Sequence, residues 1–173
     1  MKLASLKEGG RDGALIVVSY DLTRGFSTHQ IAPTMQAAIE NWQHIFPELE
    51  MMYVDLNEGK LEGFPIKKQK LASPFPRAYQ WLDGSAYLSH VERVRKARGA
   101  EIPENLYTDP LMYQGGSDYF LGPADPIVLP DTNWGLDFEA EVVVVTDDVP
   151  QGVTTEEAVK HIQLVMLVND ISL

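Results

Sequence analysis

Glu139 and Glu141 are the residues whose type and spacing point most directly to chemistry. They stand in the run Leu136-Asp137-Phe138-Glu139-Ala140-Glu141-Val142-Val143-Val144-Val145, and Asp170 follows downstream at the end of a second apolar stretch. Side chains alternate along a strand, so Glu139 and Glu141 share one face while Phe138, Ala140 and Val142 take the other. Their backbones are then roughly 7 Å apart. A carboxylate pair in so apolar a stretch is costly unless a cation or a proton compensates it. Glu139, Glu141 and Asp170 offer oxygen ligands only, which suits hard divalent ions such as Mg²⁺, Mn²⁺ or Ca²⁺. A solvated strand that alternates Glu with apolar residues has the same spacing. Val143 and Val145, apolar on the Glu face, count against that alternative.

Among the histidines, His29, His44 and His161 lie beside polar residues in helical contexts, as surface residues do. His90 stands apart, in Asp83-Gly84-Ser85-Ala86-Tyr87-Leu88-Ser89-His90-Val91-Glu92, just ahead of Arg93, Arg95, Lys96 and Arg98. An imidazole that titrates near neutrality can serve as a general base. The basic run after it reads as a helix surface or an anion site, the former being commoner. Tyr113-Gln114-Gly115-Gly116-Ser117 reads either as a turn between strands or as a loop that brings backbone amides to a ligand. It is no phosphate loop, since the lysine and spacing of that motif are missing.

Composition narrows the partners. With 14 Lys+Arg against 25 Asp+Glu, the 173-residue chain carries a formal charge of −11. That field repels phosphate backbones, so nucleic acid is not an expected partner. The absence of cysteine excludes thiol catalysis, disulfides and thiolate zinc sites. The N-terminus turns polar within a few residues and no apolar run is long enough to span a bilayer, so the expected location is cytoplasmic and no membrane partner is expected.

The elements that must position these groups follow from local pattern. Leu3–Leu6 and Ala14–Ser19 read as a hairpin around the turn signal Glu8-Gly9-Gly10-Arg11-Asp12-Gly13. An amphipathic helix begins at Pro33, with Met35, Ala38, Ile39, Trp42, Ile45 and Phe46 on one stripe. Pro47 is expected to interrupt it before Leu49, Met52, Tyr53 and Leu56 carry the pattern on to Asn57-Glu58-Gly59. Residues 1–70 thus read as a small α+β domain, 71–77 as a linker, and 78–173 as a second domain. Beyond Tyr79 the chain reads as loop-rich, with strands expected over Ile127–Leu129 and Leu136–Val145. Thr154-Thr155-Glu156-Glu157 has the form of a capping box opening a helix to about Gln163. The second half of Leu164-Val165-Met166-Leu167-Val168 then reads as a buried strand that delivers Asn169-Asp170.

In combination, the order and spacing of four pieces resemble the fumarylacetoacetate hydrolase family. They are Ala78-Tyr79-Gln80-Trp81-Leu82-Asp83-Gly84-Ser85-Ala86-Tyr87, Tyr113-Gln114-Gly115-Gly116-Ser117, Phe138-Glu139-Ala140-Glu141-Val142 and Leu167-Val168-Asn169-Asp170-Ile171-Ser172. The resemblance covers nearly the whole chain and implies the longer type, with an N-terminal domain before the catalytic one. It implies a divalent-metal hydrolase that cleaves a carbon–carbon bond in a β-diketone or acylpyruvate-type acid. Its metal carboxylates fall on Glu139, Glu141 and Asp170, with a fourth, upstream one on Asp83. Its water-activating histidine falls on His90 and a substrate-contacting tyrosine on Tyr113. An arginine of the substrate site falls nearest Arg98, one residue off register.

The expected fold is therefore α+β and mainly β: a small N-terminal α+β domain, then the first part of a β-rich catalytic domain, a mixed β-roll. Because the chain stops at Leu173 directly after an apolar stretch, that catalytic domain is expected to be incomplete. The cofactor expected is Mg²⁺, or Mn²⁺ or Ca²⁺, the small-molecule partner a keto acid, and the assembly a homodimer. The alternatives are a non-catalytic metal-binding or interaction module, and an oxaloacetate-type decarboxylase or isomerase using the same carboxylates.

Overall fold

A computed structural model describes all 173 residues. Its first part is a four-stranded antiparallel sheet in the order β1-β2-β3-β4, formed by Leu3–Leu6, Ala14–Val18, Arg24–Ser27 and Phe64–Pro65. The expected hairpin is β1–β2, in a register that pairs Leu3 with Val17 and Leu6 with Ala14. Gly13 closes its turn at φ +69, where a Cβ would lie 2.7 Å from the Leu6 carbonyl oxygen, so no side chain fits. Strand β2 is an unbroken apolar run and is buried over Leu15–Val18. The short strands β3 and β4 have no comparable pattern and were not expected from the sequence.

Two helices cover this sheet, α1 (Met35–Glu40) and α2 (Trp42–Asn57). The expected break at Pro47 is not there: the chain breaks at Asn41, and Pro47 lies inside α2. Asn41 leaves helical geometry at φ −124 and its N–H bonds back to Ala38, while its carbonyl starts α2. Pro47 removes one amide donor, a cost of about 3 kcal/mol in a helix interior. The buried residues Trp42, Leu49 and Leu56, placed on both sides of it, offset that cost. They pack with Val17 of β2 to form a core of the N-terminal part.

Residues 71–77 lie along the first sheet. Leu71 bridges to Leu6, the Ala72 N–H donates to the Ser5 carbonyl, Phe75 is buried with Leu15 and Met35, and Arg77 forms a two-pronged ion pair with Asp12. The later part contains β5 (Leu82–Gly84), α3 (Leu88–Ala97), β6 (Met112–Gln114), β7 (Asp137–Thr146), α4 (Thr155–Ala158) and β8 (Ile162–Ser172). Strands β5 and β6 pair with each other, and β7 and β8 form a long antiparallel ribbon. No helix is long and apolar enough to cross a membrane.

Three expectations for the later part change. Ile127–Leu129 forms no strand: it lies between Pro126 and Pro130, which lack amide donors, and pairs with nothing. The capping box is present in both halves, but its helix α4 gives way to a single 3₁₀ turn at Val159–His161 instead of running to Gln163. From Ile162 the alternating apolar pattern pairs along β7, so the whole segment, and not only its second half, is strand. Nor is that strand buried throughout, since Val165 and Leu167 on its outer face are open to solvent. On the inner face Val145 and Leu164 pack against the N-terminal core, anchoring the ribbon at one end.

Leu49 is fully buried between Val17, Trp42 and Leu56. Leu49→Ala should lower unfolding free energy by about 2–5 kcal/mol, the range for a truncated core leucine, read as a shifted midpoint in urea denaturation.

Candidate metal centre

The ribbon pairing decides where the carboxylates go. Glu139 lies directly opposite Asp170, and Glu141 opposite Val168. Residues opposite each other in an antiparallel pair share a face, so Glu139, Glu141 and Asp170 project to one side. That side is the half-buried face, which continues through Val143 and Val145 toward the core contact. Strand β5 contributes Asp83, whose register partner on β6 is Tyr113. Asp83, Glu141 and Asp170 each place a carboxylate oxygen within 4.8 Å of the other two, and all three are partly buried.

This spacing fits a divalent ion. With metal–oxygen bonds of about 2.1–2.4 Å, two ligands on opposite sides of one ion lie roughly 4.2–4.8 Å apart, and adjacent ligands lie closer. An all-oxygen donor set with no histidine or cysteine among the three suits Mg²⁺, Mn²⁺ or Ca²⁺. The electrostatics agree: burial, and then the charges of Asp83, Asp170 and Glu139, hold the Glu141 carboxyl above its ordinary value. A cation removes that conflict.

Of the four expected metal carboxylates, three converge. Glu139 falls outside the triad, with its Oε2 3.1 Å from His90 Nε2. His90 is in the first turn of α3, at the edge of the carboxylate cluster. Tyr113 reaches the cluster from β6, its hydroxyl donating to Asp170 Oδ2 at 3.4 Å. About half of Tyr113 is open to solvent, but its hydroxyl end is turned into the acids. Burial of that end, followed by the Asp170 charge, pushes the phenol up to about 12, so it remains a donor. Arg98 does not join the cluster. It lines a neighbouring cavity on α3, together with His90.

Two contributors to the site were not singled out from the sequence. Trp81 lies edge-on to Tyr113 and Phe120, with ring centroids 5.8 and 5.9 Å away, and its Nε1–H donates to the Gly116 carbonyl at 2.8 Å. A Cβ on Gly115 would lie 1.8 Å from the Trp81 ring, so glycine at this position admits the indole. The position of Trp81 two residues before Asp83 was the available signal. Arg95 lines the same cavity as Arg98, and its signal was helical spacing with Val91, Val94 and Arg98. His161, read as a surface residue, is instead half-buried against Asp147 at the far end of the ribbon.

A partly buried cluster of acids from β5, β7 and β8, with an imidazole beside it, is a candidate carboxylate-lined metal site. Comparison with known families is in keeping with this. Residues 1–77 match the family model described as fumarylacetoacetase N-terminal domain 2, and residues 80–173 match that of the fumarylacetoacetate hydrolase C-terminal domain. The chain belongs to the fumarylacetoacetate hydrolase family. No curated protein matches it.

The raised Glu141 carboxyl sets a pH-dependent stability. The folded metal-free chain holds this proton more tightly than the unfolded chain, whose ordinary value is 4.5. Its destabilising effect is therefore absent well below pH 4.5 and present in full above the raised value. Glu141→Gln should stabilise the metal-free protein at neutral pH by roughly 0.5–1 kcal/mol, the scale of a cross-strand charge pair. Thermal melts across pH should show that advantage vanish toward pH 4, and Mg²⁺ should stabilise the wild type much more than the variant.

Proposed function

We propose that this chain carries the metal centre of a divalent-metal-dependent hydrolase that cleaves a carbon–carbon bond in a β-diketone or acylpyruvate-type acid, the chemistry of fumarylacetoacetate hydrolysis. The observation that carries this reading is the convergence of Asp83, Glu141 and Asp170 from three strands with His90 at their edge. These three carboxylates would hold Mg²⁺, or Mn²⁺ or Ca²⁺, with Glu139 beside them. When bound, such an ion polarises a carbonyl and stabilises negative charge developing on its oxygen.

The chain's own residues supply the rest. His90, whose Nε2 lies 3.1 Å from Glu139 Oε2, would be the base that takes a proton from water. The resulting hydroxide bonds to the acyl carbonyl carbon. The adjacent carbon–carbon bond then breaks, and its electron pair leaves on the fragment that becomes an enolate. Protonation of that carbon completes the reaction, so one water is consumed and two organic acids are released. Tyr113, still protonated at neutral pH, donates a hydrogen bond at the site, and Arg98 offers positive charge to the acid substrate. The same reading includes a cytoplasmic homodimer, which the outward apolar residues Phe138, Val142 and Leu167 support.

Isothermal titration with Mg²⁺ and Mn²⁺ is the primary test. About one ion per chain should bind, and Asp83→Asn or Asp170→Asn should weaken binding at least tenfold. Folded protein that binds neither ion overturns the reading. Where an acylpyruvate is turned over, His90→Ala should reduce kcat by about 10²–10⁴. Product analysis showing CO₂ instead of two acids would identify decarboxylation.

A further inference from the structure

We infer that Asp147 is a positioning residue for the metal centre: with His161 and Gln163 it clamps a bulge in β8, and the bulge sets the register in which Asp170 meets Glu139. The inference rests on the carboxylate triad being the metal centre and adds what holds two of its strands in phase.

The ribbon carries two registers. From Asp137 to Val145 the pairing is regular, with Glu139 opposite Asp170 and Val145 opposite Leu164. The next pair is Thr146 with Ile162, so Gln163 is one residue too many on β8. Side-chain burial marks the same place. Along β7 every second residue from Glu139 to Val145 is half-buried, and Asp147 continues the series. Along β8 the alternation breaks where Gln163 and Leu164 are half-buried in succession. A bulge of this kind shifts the phase of the strand beyond it. Without it, the pairing of Thr146 with Ile162 would extend along the ribbon and set Asp170 opposite Phe138, on the outer face. The triad would then lose one of its carboxylates.

Asp147 holds the bulge through both carboxylate oxygens. Oδ1 lies 2.5 Å from His161 Nδ1, and Oδ2 accepts from Gln163 Nε2 at 2.8 Å. The Asp147 N–H also donates to the His161 carbonyl oxygen at 3.1 Å, so backbone and side chain fix the same pair. All three side chains are half-buried, where a polar group without a partner is costly. The connection between the strands is itself held. Its capping box at Thr154 and Glu157 sets α4, and the Ile162 N–H bonds back to Val159 at the end of the 3₁₀ turn. Strand β8 is therefore delivered to Thr146 one residue away from the register that the acids need, and the clamped bulge makes up the difference.

The test removes the clamp and then the need for it. Asp147→Ala should weaken Mg²⁺ binding to the folded full chain about tenfold, the scale of a lost residue behind a metal ligand. Deleting Gln163 in the same variant puts both ends of the ribbon in one register and should return the affinity to within about twofold of wild type. Ile16→Ala, which weakens a core cluster that contains no ribbon residue, should leave the affinity unchanged. Because the chain has no cysteine, the register can also be read without metal, from Val142→Cys combined with Leu167→Cys on the exposed outer face. Residues so opposed are about 4.5–5.5 Å apart at Cα, within disulfide reach. The pair should crosslink readily in an otherwise wild-type chain, several-fold less with Asp147→Ala, and readily again after deletion of Gln163. Mg²⁺ binding or crosslinking that Asp147→Ala leaves unchanged overturns the proposal, as does a loss that deletion of Gln163 fails to restore. Should Asp147→Ala fail to fold, deletion of Gln163 alone should preserve both readouts, and a folded chain that loses either overturns the proposal. Crosslinking that follows Asp147, with no Mg²⁺ bound by any variant, keeps the clamp and removes the metal centre.

Discussion

The register of β7 against β8 is the constraint from which the site follows. It sets Glu139 opposite Asp170 and places Glu141 on the same face. Like charges directly across a ladder repel, and partial burial strengthens the repulsion by removing water. A slip of one residue would turn these acids to the outer face and bring Phe138, Ala140 and Val142 inward. The slip is prevented at the other end of the ribbon, where Val145 and Leu164 pack against the N-terminal core. Apolar packing at one end of two strands thus fixes a polar arrangement at the other that would not form by itself.

The N-terminal part accordingly acts as the foundation for the ribbon. Its core of β2, α1 and α2 supplies the surface on which Val145 and Leu164 rest. Further ties link the two parts: Arg77 pairs bidentately with Asp12, Lys7 pairs with Asp125, and the Phe120 N–H donates to the Pro76 carbonyl. The ion pairs are partly exposed, so each is a modest contributor to stability. Their effect is chiefly geometric, because they fix the entry to β5 and hence Asp83. Trp81 then settles the partner strand by occupying the space that Gly115 leaves open.

What the sequence revealed depended on whether the cause was local. The β1–β2 hairpin and the capping box at Thr154 rest on neighbouring residues, and both were legible. The shared face of Glu139 and Glu141 follows from the period of a strand, and it too was legible. Pro47 was misleading because the helix tolerates it only through buried packing at Trp42, Leu49 and Leu56, a tertiary effect. Ile127–Leu129 was misleading in the opposite sense, since apolar residues without a partner strand form no ladder. The convergence of Asp83 with Glu141 and Asp170 depends on contacts between distant segments. Only the family resemblance pointed to Asp83, and spacing alone had no means of separating Glu139 from its neighbours.

The separation of Glu139 from the triad has a chemical consequence. Were all four acids at one point, the imidazole would stand beside a compact negative cluster with no defined partner. With Glu139 Oε2 3.1 Å from Nε2, the imidazole has one carboxylate neighbour in particular. The same ring forms part of the wall of the basic cavity. His90 therefore sits on the line between a negative region suited to a cation and a positive region suited to an anion. A ring fixed between regions of opposite charge is set in place by the fold before any ligand arrives, and such preorganisation is what a rigid fold supplies most directly.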